Sequence, residues 1–285
     1  MIAETTLPWR LLERASDDPA RIALEARVNR EWRVYSWAEV LAEVAFIALG
    51  LRQIGFGAGD TLAIFDVRRA RVLFTILAAQ ALGGSVLPLQ SRSSRFELRA
   101  AFRSRFAKIA FADSAEHLDK LRSLDAQALG TIVVGDRRAL EAQTAEATAS
   151  YATVRAAGAR YGRLALGQLA VLAGRLAPSA TAFEFVDGGE ASDIHGVISH
   201  AELIGAAQRL RENGRLPGAG SIAVSPRLSS TWNSMLAVVA WLEYGFTVLT
   251  MEDEPAESSG PPPGERYGAC RSSTSLPGAR SAAAR

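Results

Sequence analysis

Apolar positions along the chain change repeatedly from a helical to a strand-like spacing. Helical spacing covers residues 7–15, 36–54, 70–82, 94–104 and 115–124, and short apolar runs cover 61–65, 85–89, 108–112 and 131–134. Ser36 and Glu39 have the spacing of a capping box, which predicts where the second helix begins. Strands that alternate with helices are typical of a parallel sheet with helices on its faces. The pattern therefore predicts an α/β fold.

Three further segments carry their own predictions. Residues 23–24 and 32–35 flank Asn29–Arg30 as the two arms of a short hairpin. Residues 72–89 are uncharged, but Gly83, Gly84 and Pro88 interrupt them, which favours a buried helix turning into a buried strand over a membrane span. Residues 137–162 are rich in Ala and Thr and predict a loosely ordered connection.

Composition narrows the range of functions. The 285 residues are 48% hydrophobic and 22% charged, with a formal net charge of +2. This balance argues against a nucleic-acid or membrane-surface role that rests on bulk charge. The single cysteine, Cys270, excludes an internal disulfide, and the three histidines lack the spacing of metal ligands. No secretory signal or transmembrane segment is recognisable, so the expected location is cytoplasmic.

One segment has the outline of a phosphate-binding loop. Residues 181–186 form a weakly alternating strand, residues 185–200 read FVDGGEASDIHGVISH, and residues 201–210 have helical spacing. A strand, a glycine-containing loop and a helix can hold phosphate with backbone N–H groups and the helix N-terminus. The segment resembles the loop of the AMP-forming acyl-CoA synthetases, the adenylate-forming superfamily, whose pattern is close to Y-T-S-G-T-T-G-x-P-K-G-V-x-x-S-H.

The resemblance assigns the loop positions but not their chemistry. Aligned without a gap, Phe185 takes the Tyr and Ser199–His200 the closing pair; a register shifted by one places His195 on the Lys and Gly196 on the Gly. The assigned phosphate-loop positions are Asp187, Gly188, Gly189, Glu190, Ile194, His195 and Gly196. Neither register restores the lysine.

Three carboxylates, those of Asp187, Glu190 and Asp193, occupy this loop. Two like charges about 4 Å apart repel by roughly 4 kcal/mol at an effective dielectric constant near 20. The family uses ATP with magnesium, and CoA, but here we expect no cofactor to bind tightly. No catalytic residue and no metal ligand can be assigned. His200 matches the closing His of the family loop, which the resemblance implies is a packing and capping residue.

The resemblance extends along the chain and favours the long-chain fatty acid–CoA ligase branch. Matching phrases include Tyr35-Ser-Trp-Ala-Glu39, Ala78-Ala-Gln-Ala-Leu-Gly-Gly84 and Tyr244-Gly-Phe-Thr-Val248. It implies that residues 1–254 are part of an AMP-binding (adenylation) N-domain, with parallel sheets flanked by helices. The later family motifs and the small domain with the catalytic lysine are missing. The expectation is therefore a truncated synthetase that is inactive alone.

The alternative is a non-catalytic module that pairs with a separate chain carrying the missing half, or that holds a fatty acyl ligand. Residues 255–285 hold 5 of the 11 prolines and no regular spacing, which predicts a disordered tail, possibly translated out of frame. Truncation predicts an apolar sheet edge flanked by Trp232, Val238, Trp241 and Phe246, and with it poor solubility.

A basic helix face is the remaining feature. Arg92, Arg95, Arg99 and Arg103 have helical spacing, with Glu97 and Asp113 close enough in sequence to help neutralise them. Such a face could grip phosphates, although a solvated surface is the simpler interpretation.

Overall fold

The computed structural model describes residues 5–28, 31–65, 69–91, 93–102, 106–124, 128–135, 148–185, 196–216, 221–224 and 231–251. The helices in these ranges are α1 (Leu7–Asp17), α2 (Trp37–Gln53), α3 (Ala70–Ala81), α4 (Arg95–Phe102), α5 (Ala115–Arg122), α6 (Tyr151–Ala159), α7 (Arg163–Gly174), α8 (His200–Glu212) and α9 (Thr231–Tyr244). The strands are β1 (Ile22–Val28), β2 (Glu31–Ser36), β3 (Thr61–Phe65), β4 (Ser85–Leu89), β5 (Ala107–Ala112), β6 (Leu129–Val134), β7 (Thr148–Ser150), β8 (Thr181–Phe185), β9 (Gly196–Ser199), β10 (Ser221–Val224) and β11 (Thr247–Met251).

Side-chain caps determine where α1 and α2 begin. The hydroxyl of Thr6 accepts a hydrogen bond of 3.3 Å from the amide of Trp9. At α2, the Ser36 amide donates to the Glu39 carboxylate at 2.7 Å, and the Glu39 amide donates to the Ser36 hydroxyl at 3.3 Å. These bonds satisfy amides that have no partner within the helix. The predicted capping box is confirmed.

The strands form two sheets. The smaller has the order β10-β11-β1-β2, and the larger has the order β7-β6-β5-β3-β4-β8-β9. The pairs β1–β2 and β8–β9 are antiparallel, and all other neighbouring strands are parallel. The predicted N-terminal hairpin and the predicted parallel α/β sheet are both confirmed.

The larger sheet is covered on both faces. In β3, Leu62 and Ile64 belong to a core cluster shared with α1, α2, α3 and the smaller sheet. Ala63 and Phe65 alternate with them and belong to a second cluster, with Leu98 of α4 and further residues of α5. This alternation follows from the two-residue period of a strand. Burial on both faces explains why the strand is apolar from Leu62 to Phe65.

The prediction of a loosely ordered connection over residues 137–162 is wrong where the structure describes it. Residues 148–150 form β7, and residues 151–159 form α6. Helix α6 crosses α2 so closely that a Cβ on Gly158 would lie 1.8 Å from the carbonyl oxygen of Phe46. Such an approach needs small residues, so the Ala- and Gly-rich composition reflects tight packing. Residues 136–147 lie outside the described part.

The prediction that Val238, Trp241 and Phe246 flank an open apolar edge is also wrong, because these side chains are buried, while the poor solubility expected with such an edge stays a prediction. Val238, Trp241 and Phe246 are at most 3% exposed. The Trp241 indole N–H donates to the carbonyl of Ala23 at 2.9 Å. The physical reason is that β11 pairs with β10 on one side and β1 on the other, so it lies inside the smaller sheet and not at its edge. The side chain of Trp232 and the predicted tail 255–285 lie outside the described residues.

Candidate functional site

The carboxyl ends of the parallel strands in the larger sheet lie level with one another. The pairing register aligns Phe65 with Leu89 and Ala112 with Val134, and it places Ser150 opposite Val134. Strand β8 runs parallel to β4, with Phe183 opposite Val86, so its carboxyl end lies at the same edge. In parallel α/β sheets this edge is where ligands bind. We call it the carboxyl edge, and it is the candidate functional site.

The predicted phosphate loop leaves the sheet at this edge. It connects β8 to β9, which pair as an antiparallel hairpin with Phe185 opposite Gly196. Gly196 has a φ of +119°, a backbone conformation that favours glycine. The predicted site residues Asp187, Gly188, Gly189, Glu190, Ile194 and His195 lie outside the described residues, and Gly196 alone of the set is described.

The predicted layout of strand, loop and helix needs a correction, because β9 lies between the loop and α8. Ser199 caps α8 and pairs with Thr181, at the end of the hairpin opposite to the loop. Four strand residues span about 13 Å. The helix dipole acts only over the nearest turn, so the N-terminus of α8 is too far from Gly196, at the loop end of β9, to contribute to anion binding there.

Glu184 adds a further carboxylate to the strand that leads into the loop. Its Oε1 accepts hydrogen bonds from the hydroxyl of Ser85 and, at 3.3 Å, from that of Thr61. These three residues lie on adjacent strands, β8, β4 and β3. The contacts fix β8 against the sheet.

A buried ion cluster fills the carboxyl edge where β3 meets β5. The connections from these neighbouring strands leave in opposite directions, to β4 and to β6, a position where α/β sheets commonly bind ligands. Here Asp113, which is 3% exposed, pairs with Arg69 at 2.6 Å and with Arg71. Arg71 also donates to the carbonyl of Gly135 at 3.1 Å. Sequence reasoning missed this cluster and assigned Asp113 to a different basic face.

His117 and Lys120 of α5 hold the chain that follows β4. Nε2 of His117 lies 3.2 Å from the hydroxyl of Ser91, and its ring stacks on Phe65 at 4.5 Å between centroids. The Lys120 ammonium donates to the Ser91 carbonyl and pairs with Glu116 at 2.8 Å. Arg69, Arg71 and Lys120 at the carboxyl edge thus each contact a carboxylate already.

The predicted basic face is described only in part, because Arg92 and Arg103 lie outside the described residues. Arg99 donates to the carbonyl of Ser123 at 3.1 Å, at the end of α5. Glu97 accepts from the amide of Ser94 at 2.6 Å, and this hydrogen bond lowers the pKa of Glu97. Both contacts cap helix ends.

His200 packs in the core. It is fully buried, and its Nδ1 accepts a hydrogen bond from the amide of Leu7. Burial lowers its pKa to about 4, so the ring is neutral at pH 7. Burial also raises the pKa of Tyr151, which follows β7 at the carboxyl edge, so its phenol stays protonated. Neither group carries charge at the candidate site.

The described residues contain neither a candidate metal cluster nor a candidate membrane span. No group of three or more His, Cys, Asp and Glu residues there is placed to hold a metal ion. No helix there has both the length and the hydropathy to cross a membrane.

Comparisons with known proteins agree with this architecture. The long-chain-fatty-acid–CoA ligase FadD15 of Mycobacterium bovis is 26% identical over 114 residues, which are 40% of this chain and 19% of the relative. The luciferase-like enzyme of the nonluminescent mealworm Zophobas morio superposes with a TM-score of 0.67 at 14% identity, covering 89% of this chain and 56% of that one. Coronafacic acid ligase of Pectobacterium brasiliense gives 0.64 at 18% identity, covering 87% and 46%.

The structural matches at these identities establish the fold: α/β, with the parallel sheets of an adenylation domain. The chain spans about half the length of these solved structures and matches a fifth of the ligase from Mycobacterium bovis. The family model described as AMP-binding enzyme matches residues 11–180, which is more than half of the chain and ends just before β8. The chain therefore belongs to the family of AMP-binding enzymes.

Proposed function

We propose that this AMP-dependent synthetase-like protein does not activate a fatty acid by itself, because its phosphate loop does not hold ATP tightly. In the family reaction, a carboxylate attacks ATP, pyrophosphate leaves, and the acyl group passes from AMP to CoA. The observation that carries the proposal is the loop between β8 and β9. It contains Asp187, Glu190 and Asp193 and no lysine.

The surroundings of the loop support the same conclusion. The N-terminus of α8 lies at the end of the β8–β9 hairpin that is far from the loop. Arg69 and Arg71 at the same edge are engaged by Asp113. The residues described around the loop therefore do not fit the triphosphate of ATP, and we derive no catalytic step through it.

The test restores the family loop chemistry in the full 285-residue chain. Binding of magnesium-ATP is measured by calorimetry for the wild type and for the variant D187S/E190T/I194K. We expect no saturable binding by the wild type at millimolar ATP and a gain of about a hundredfold or more in the variant, since each regained contact contributes roughly tenfold or more.

The variant D17S/V34K/E212T is the matched control, since it changes net charge by the same amount at exposed positions on other elements. It should bind no better than the wild type. Submillimolar binding by the wild type, or release of pyrophosphate with ATP and a fatty acid well above background, would overturn the proposal.

A second candidate is a non-catalytic module that holds an acyl ligand or pairs with a separate chain carrying the later family motifs. The specific observation in its favour is that Val238, Trp241 and Phe246 are buried, so the described residues close their own core there. Equilibrium dialysis against fatty acids of increasing chain length tests the first form. Saturable binding without ATP supports it, and no binding at any length excludes it.

The DNA sequence after the codon for Glu254 distinguishes the hypothesis of a non-catalytic module from that of a frameshifted synthetase. Family motifs that reappear there in another reading frame would favour a frameshift. Their absence in all three frames would favour the module.

A further inference from the structure

Helix α7 carries an apolar face that is exposed to solvent. Leu164, Gly167, Val171 and Gly174 are all exposed, and their spacing places them along one side of the helix. Leu164 is 69% exposed and Val171 is 54% exposed. The opposite side, with Ala165, Leu169 and Ala173, is buried. We call the exposed residues the α7 face.

Aromatic residues with polar tips lie at both ends of the α7 face. Tyr161 precedes the helix, is 40% exposed, and its hydroxyl accepts from Gln53 at 3.3 Å. Trp9 of α1, also 40% exposed, lies against the other end, where a Cβ on Gly174 would meet its ring at 3.4 Å. Tyr and Trp at the border of an apolar surface are typical of proteins that contact the headgroup region of a membrane.

The chain segment that contains α7 carries charge of one sign. Residues 147–183 contain four arginines and no Asp, Glu or Lys. Arg155 pairs with Glu43 at 2.6 Å. The other three, Arg160, Arg163 and Arg175, are exposed and make no ion pair within the described part of the chain. Glu13, which accepts a hydrogen bond from the Trp9 indole at 3.0 Å, is itself paired with Arg10 at 2.8 Å.

We infer that the α7 face docks on the surface of an anionic membrane, with Leu164 and Val171 entering the headgroup region and Arg160, Arg163 and Arg175 contacting lipid phosphates. The net charge of the whole chain is only +2, so it does not reveal the local excess of arginine around α7. A helix with an apolar side and flanking arginines binds such surfaces through buried apolar area and attraction to anionic lipid. A single exposed helix ridge gives shallow, reversible contact.

Electrostatics disfavour a second copy of the chain as the occupant. In a symmetric dimer the same patch meets itself, so the three arginines would face the three arginines of the other copy. Like charges at an interface are unfavourable. An anionic lipid surface instead complements all three.

The test is co-sedimentation of the full chain with vesicles. One set contains equal parts of phosphatidylglycerol and phosphatidylcholine, and the other contains phosphatidylcholine alone. At about 0.1 M salt we expect binding to the anionic vesicles only. At about 1 M salt this binding should be lost, because the Debye length falls from about 10 Å to about 3 Å.

Two variants separate the contributions. R160Q/R163Q/R175Q should bind the anionic vesicles about a hundredfold more weakly, since each arginine near such a surface contributes about fivefold. L164Q/V171Q should lose binding while keeping its charge. R21Q/R209Q/R215Q and F106Q change exposed residues on other segments, and we expect both to bind like the wild type, with unchanged far-ultraviolet circular dichroism in all four.

Three results would overturn the inference. The first is no binding to anionic vesicles, and the second is equal binding to both vesicle types. The third is a dimer in size-exclusion chromatography that L164Q/V171Q dissociates, which would assign the α7 face to a second copy.

Discussion

The backbone amide of Leu7 donates a hydrogen bond of 3.3 Å to Nδ1 of His200, joining the first turns of α1 and α8 across the core. Because Nδ1 accepts this bond, the neutral ring carries its proton on Nε2. That atom is buried and has no hydrogen-bond partner among the described residues. A second proton on the ring would displace the Leu7 bond and place a charge in the core.

We expect acid to destabilise the protein through His200. Its pKa is about 4 when folded and 6.5 without the fold, so the unfolded chain takes up the proton first. The stabilising contribution is therefore complete above pH 6.5 and is lost as pH falls through 4. A shift of this size corresponds to roughly 3 kcal/mol of unfolding free energy. Urea denaturation at a series of pH values measures the effect.

His200→Asn is the control for this pH dependence. The Asn amide oxygen can accept from Leu7 near the position of Nδ1, but the side chain does not titrate. We expect a lower stability at neutral pH, from lost packing, and a shallower decline between pH 6.5 and 4. Parallel profiles for the variant and the wild type would assign the acid effect to other groups.

Gly158→Ala should destabilise the protein by about 1–3 kcal/mol. Its added methyl would collide with the carbonyl oxygen of Phe46, and overpacking costs more than the better helix propensity of Ala returns. Gly167→Ala is the matched control, since a Cβ there meets nothing within 4 Å. It should stabilise α7 by up to about 1 kcal/mol. Equal effects of the two changes in urea denaturation would show that α2 and α6 do not approach so closely.

Asp113→Asn should cost about 2–4 kcal/mol of unfolding free energy, because Arg69 and Arg71 would lose their shared carboxylate. The arginines are partly exposed, which limits the effect. Asp119→Asn removes an exposed acid from the neighbouring α5 and should change stability by less than about 0.5 kcal/mol. Thermal unfolding of both variants at neutral pH makes the comparison, and similar melting temperatures would argue against a buried ion cluster.

Trp241→Phe should destabilise the protein by about 1–3 kcal/mol, since it removes the buried hydrogen bond from the indole to the carbonyl of Ala23. It also alters the stacking on Trp37, whose ring lies 5.1 Å away. Trp9→Phe, at an exposed position, is the control and should be close to neutral. If both variants unfold at the same urea concentration, Trp241 is not held as described.

Local sequence signals predicted most of the helices and strands in the first 134 residues. The Ser36–Glu39 box and the apolar run of β3 act over a few positions, so they are visible without the fold. Helix α6 was missed because its burial depends on close contact with α2, which removes the apolar stripe that normally marks a helix. Strand β9 is short, and its Val197 is exposed, so it shows little alternation.

The sequence was enough to predict where the candidate site lies, but not which residues form it. The loop between β8 and β9 stands out by its glycines and acids. The ion cluster does not, because Arg71 and Asp113 are 42 positions apart and meet only after β3 and β5 pair. The sequence also gave no sign that Asp113 is buried.

The pairing of β1 with β11 has a consequence for how the protein is made. Leu24 lies opposite Val248, so about 220 residues must be synthesised between the two partners. At about 5–20 residues per second, the N-terminal hairpin waits roughly 10–40 s with one edge unpaired. A strand edge left open in this way is a template for pairing with other chains. The N-terminal hairpin therefore needs protection from other chains until β11 has been synthesised.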